Sequence, residues 1–179
     1  TILRYIDRGI MGEIRSTTPA EKANEIIRII SATERHSFAF QEEIQTLEAA
    51  SKLSNDNYEA SAYSLFENYA WSSLGYFNEK PKDLEHYKKA ITKAATENPD
   101  EKLQSLQRNF IDSVELKKDE IKNLSSALQI LAYLAGESAY LKDYFKFSIN
   151  ELEYQGEILF VELALRSNKP TSYLKDLLP

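Results

Sequence analysis

Apolar residues recur at three- and four-residue spacings along the whole chain, and no convincing run of strict alternation interrupts them. That period belongs to amphipathic helices, so the expected fold is all-α: a bundle of six to eight helices, paired as antiparallel hairpins by short turns. In the N-terminal region, 1–54, Leu3, Ile6, Ile10 and Ile14 fall on one helical face. Thr18, Pro19 and Glu21 then read as a capping box with proline in the first turn. From Ala23 to Leu47 the positions Ile26, Ile27, Ile30, Phe40, Ile44 and Leu47 nearly hold one register. One long helix, straight or kinked, is favoured there; two helices joined around 31–37, with Ser31 and Glu34 as a second box, are the alternative.

A break at 54–57 introduces a helical hairpin over 58–96. Its first helix is expected from Tyr58 to Asn78, and its second carries Leu84, Tyr87, Ile91 and Ala94, with Pro81 as the stop between them. Asn98, Pro99 and Glu101 open the C-terminal helical region, 99–166, where Leu103, Leu106, Phe110, Val114, Ile121 and Leu124 share a face. A further helix continues this one or starts near Ser125. The stretch 148–151 repeats the capping pattern ahead of a last long helix ending at Arg166. A short terminal helix over 171–178 completes a single domain.

Composition narrows the function classes. A chain of 179 residues with 42% hydrophobic and 28% charged residues can bury a substantial core. With no cysteine, disulfides, thiol nucleophiles and thiolate zinc sites are excluded. A net charge of −6, with lysines interleaved among acids, argues against nucleic acid as a partner. The longest apolar stretches fall short of a membrane span, and no signal peptide is visible. A soluble, cytoplasmic protein without membrane insertion is expected.

The most motif-like stretch is "FENYAWSSLGYF", 66–77, which holds the only tryptophan. Trp71, Leu74, Gly75, Ala94 and Pro99 are spaced as in one tetratricopeptide repeat, and the stretch resembles that family over about a fifth of the chain. Asn78 and Tyr87 depart from the family's Tyr and small residue, and no second copy occurs one repeat away. A plain antiparallel hairpin accounts for the same residues. Projected at 100° per residue, Tyr63, Phe66, Ala70, Leu74 and Phe77 make one apolar stripe, while Ser61, Ser64, Asn68, Ser72 and Gly75 make a small uncharged side. This pattern suggests a helix enclosed by neighbours, or one whose polar side lines a cavity. Glu67 falls in the apolar arc with no basic residue three or four positions away. It is the first candidate for a ligand-binding carboxylate, with Trp71, Tyr63 and Asn68 beside it; a structural hydrogen bond is the other reading.

The remaining chemistry is sparse. Asp83 and His86 form one Asp-x-x-His, and His36 has no equivalent partner, so no metal or cofactor is expected. No catalytic residues stand out, since nucleophile elbow, phosphate-cradling loop and His-Glu-x-x-His are all missing. In the last helix Glu162 precedes Arg166 by four residues, the order of a surface ion pair. That helix carries two apolar stripes. Ile149, Leu152, Gly156, Leu159, Leu163 and Phe160 form one; Tyr154, Ile158, Val161 and Leu165 form the other, a candidate interface. The expected function is a non-catalytic binding or regulatory domain acting through protein contacts, with a protein partner or a second copy. A small-molecule-binding bundle, sensor or enzyme, around Glu67 and Trp71 is the alternative; a tetratricopeptide-like interaction module and a His- or carboxylate-based metal or haem protein are weaker ones.

Overall fold

The computed structural model describes residues 8, 12, 14–16, 19–30, 32–54, 57–74 and 80–170. The expected face Leu3, Ile6 and Ile10, the caps Thr18 and Ser31, the side chain of Glu21, positions 75–79 and the terminal helix over 171–178 lie outside them. Among the described residues the fold is all-α with no strand. Six α-helices follow in order: α1 (Ala20–Ile30), α2 (Phe38–Ser51), α3 (Tyr58–Tyr69), α4 (Leu84–Ala95), α5 (Pro99–Lys122) and α6 (Ser126–Ser167). A single 3₁₀ turn, Ala70–Ser73, follows α3.

Three expected boundaries change. The long helix over 23–47 is two helices, because the Ser37 side chain accepts the Phe40 N–H at 3.2 Å and starts α2 afresh. The helix expected over 58–78 ends at Tyr69 and tightens into the 3₁₀ turn. At three residues per turn, side chains beyond Tyr69 leave the directions that a 100° projection assigns them. Conversely, the capping pattern at 148–151 starts nothing, and α6 runs unbroken through it for 42 residues, about 63 Å. Asn150, buried within that pattern, donates its side-chain amide to the carbonyl of Leu74 instead of capping a helix. Asn98 stands at the start of α5 but in the left-handed region, φ 53°, and its side chain makes no capping bond.

Two cores hold the helices. Ala23 and Ile30 of α1 pack with Leu128, Ala132 and Ala135 of α6, and Ile14 joins them. The second core lies in the α2–α3–α4 layer: Ala50, Ala62, Leu65, Tyr69, Tyr87 and Ile91. Helix α5 packs against both α1 and α2 and so ties the cores together. An aromatic seam joins the layer to α6. Phe38 lies 5.5 Å from Trp71 and 5.1 Å from Phe147, ring centre to ring centre, and Trp71 lies 5.9 Å from Phe147. These are edge and tilted contacts, the favoured geometries for aromatic pairs.

Candidate functional site

The sequence points to a carboxylate site around Glu67, and the described residues do not assemble one. Glu67 and Asn68 are exposed, and Tyr63 is 52% exposed with Phe66 as a ring neighbour. Trp71 is buried against Phe38 and Phe147 on the α6 side. The inward face of α3 is Ala62, Leu65 and Tyr69, rotated away from the expected stripe because α2 and α4 both pack on that side. The small polar side is not enclosed either. Ser61 and Ser64 line an open cleft of about 370 Å³ with Gln45, Glu48 and Asn57.

The histidines are equally structural. Asp83 caps α4 by accepting the His86 N–H at 2.8 Å, which accounts for the Asp-x-x-His spacing. His36 packs on Phe40 and Phe110 at 4.7 and 4.5 Å. Among the described residues no group of three or more His, Asp or Glu is arranged to hold a metal ion.

The densest polar cluster was not expected from the sequence. Lys82 donates to Glu42 at 2.7 Å and to Ser72 at 3.0 Å, and Ser72 donates to Glu42 at 3.2 Å. A serine beside a lysine invites comparison with a nucleophile and its base. Here Lys82 donates to both neighbours and so presents Ser72 with no lone pair, while Ser72 is buried. The arrangement therefore works as a clamp. It ties the 3₁₀ turn and the start of the α4 approach to α2, helped by the Lys82 N–H on the Ala70 carbonyl at 2.9 Å. Two buried phenols line it. Burial, and then the charge of Glu42, pushes both Tyr69 and Tyr87 above the ordinary tyrosine range. The Tyr87 hydroxyl has no hydrogen-bond partner of good geometry, although Glu42 and Ser72 are near enough to act on its titration. No short signature marks this cluster, since its members lie 30 and 40 residues apart.

A second missed residue, Lys117, occupies the middle of the apolar stripe of α5. Its ammonium is buried, donating to the Ala32 carbonyl at 2.6 Å with Glu34 at 3.3 Å. A lysine one step from Val114 and Ile121 on an otherwise apolar face was the available signal.

What remains for recognition is α6. Its inner side, Leu128, Ala132, Ala135 and Asn150, is buried, and its outer side is not covered. Ile130, Leu134, Leu141, Phe145, Leu152, Leu159 and Leu163 line that outer side at 41–72% exposed. At 100° per residue they fall within a 60° arc opposite the buried positions. Of the candidate interface, Ile158, Val161 and Leu165 are exposed and Tyr154 is half-buried. Tyr154, Ile158 and Val161 line a groove of about 430 Å³ against Pro81. Beside it Leu152, Gly156 and Phe160 form another of about 550 Å³ with Leu74, Lys80 and Pro81. The expected ion pair is present, with Arg166 Nε 2.6 Å from Glu162. No described helix is long and apolar enough to cross a membrane. Comparison with family models, with curated proteins and with solved structures finds no match to this chain.

Proposed function

We propose that this is a non-catalytic interaction domain that engages protein through the outer face of α6. The observation that carries this reading is the exposure of that face: large aliphatic and aromatic side chains, 41–72% open to solvent, on a helix whose opposite side is core as far as Asn150. Isolated apolar residues on a surface need no explanation, but a contiguous line of them marks a contact surface. The body of the protein serves to hold the helix straight. The aromatic seam and the Asn150–Leu74 bond fix its middle, and the α1 core fixes its first turns.

A photo-cross-linking residue placed at position 159 tests this in the cell of origin. Protein adducts are expected there and not from the same residue at exposed position 108 on α5. Equal adduct patterns at the two positions would remove the reading.

A further inference from the structure

We infer that the outer face of α6 pairs with the same face of a second copy of this chain, antiparallel, as a two-stranded coiled coil; this presupposes the protein-contact reading above. The period is the first support. One line of exposed apolar positions advances from Leu134 by seven to Leu141, by four to Phe145, then by seven to Leu152 and seven to Leu159, with Tyr144, Ile149 and Ile158 exposed beside it. Such steps keep a seam at 3.5 residues per turn, the spacing by which one helix seats its side chains between those of another. The intervening seam positions, Ser138, Ser148 and Gln155, are uncharged.

The seam is also complementary to itself when reversed. Turned end for end about the Lys146–Phe147 bond, Leu134 meets Leu159 of the second copy and Leu141 meets its Leu152. Phe145 meets Ser148, a large side chain against a small one, and Ser138 meets Gln155, two groups able to hydrogen-bond. Every layer from 134 to 159 is thus apolar, size-matched or polar on both sides, as an antiparallel pair requires.

Space allows the pairing. The seam lies on the side of α6 away from buried Ala132 and Asn150, so the two bodies stand on opposite sides of the helix pair. Over 134–159 it is about 39 Å long. Using four of every seven positions it engages about 15 residues a copy, fewer than the roughly 20 of a standard interface, so the association is a weak one.

Sedimentation equilibrium and directed disulfides on the full chain test the assignment. The average mass should rise with concentration from 20.6 kDa toward twice that value. Leu152→Glu should weaken association about tenfold or more while leaving the helical circular dichroism unchanged. Because the chain has no cysteine, introduced thiols report alone. Leu141→Cys and Leu152→Cys chains should each stay uncross-linked on oxidation and should form a disulfide-linked pair when mixed. The cysteine pair keeps the test decisive even if the acidic variant fails to fold. Dimers of either cysteine chain by itself would mean parallel pairing and would overturn the assignment. So would a chain that stays monomeric throughout. In that case, adducts at position 159 to a different protein would preserve the contact reading and remove only the second copy. A monomer without adducts would remove both.

Discussion

Lys117 carries its ammonium to within 2.6 Å of the Ala32 carbonyl oxygen, across three elements of the fold. The lysine belongs to α5, the carbonyl to the link between α1 and α2, and Gly136 of α6 lies directly beneath. A methyl group on Gly136 would stand 2.5 Å from the lysine nitrogen and 3.2 Å from the Ala32 oxygen. The glycine is there because the lysine and the link must approach that closely. The same link is held by Arg35, 2.9 Å from Glu137 and over the ring of Tyr140.

Replacing Lys117 with Met keeps the stem and removes the donor. Ala32 then loses its charged partner in a buried site, and stability should fall by about 1–3 kcal/mol. Urea unfolding followed by circular dichroism measures it. A change below about 0.5 kcal/mol, the range of an ordinary surface substitution, would show that this bond does not hold the link.

Asn150→Ala removes the amide that binds the Leu74 carbonyl. A loss of about 1–3 kcal/mol is expected, since a partly buried acceptor is left without its partner. The lone tryptophan supplies a local readout: Trp71, packed on Phe147, should shift its emission to the red as the 3₁₀ turn loosens from α6. Unchanged emission would mean that the aromatic seam alone holds the turn.

The buried tyrosines set an alkaline limit. Their pKa values are raised in the folded chain, so the unfolded chain gives up phenolic protons first. Below the unfolded value, near 10, stability is unaffected. Above it, stability falls by up to about 1.4 kcal/mol per pH unit for each tyrosine, so up to twice that for Tyr69 and Tyr87 together. Tyr87→Phe should flatten that fall. At neutral pH it should cost little, because the hydroxyl it removes has no partner of good geometry. An unaltered alkaline slope from denaturant midpoints at pH 9 to 11 would contradict this account.

Glu67→Gln should leave both stability and α6-mediated contacts where they are, within about 0.5 kcal/mol, as expected of an exposed side chain. A larger loss in a thermal melt would mean that the carboxylate has a partner the structure does not give it.

Much of the helical framework was legible in residue spacing. The stop at Pro81 and the α6 end by Arg166 follow from stop signals, and a start near Ser125 is one of the two readings the spacing leaves open. Boundaries failed where a local signal met a stronger neighbour. Ser37 outweighed the nearly continuous register from Ala23 to Leu47, whereas the capping pattern at 148–151 lost to uninterrupted helix and a tertiary bond. The candidate site around Glu67 failed for a related reason: its arc was drawn on the assumption that the most aromatic side faces inward. The Glu42–Ser72–Lys82 clamp could not be read at all, because contacts 10 to 40 residues apart leave no periodic trace.

From sequence alone follow the helical class, the end of the last helix, the Glu162–Arg166 pair and the presence of two apolar stripes on that helix. Spacing along a helix sets the angle of each side chain about the axis, and that is enough for all four. It does not say on which side the rest of the protein lies. Only the tertiary structure decides that Leu128, Ala132 and Asn150 turn inward while Leu141, Phe145 and Leu152 are left open. The direction of burial is a property of the packed helices together, and it leaves both stripes of the last helix open to solvent.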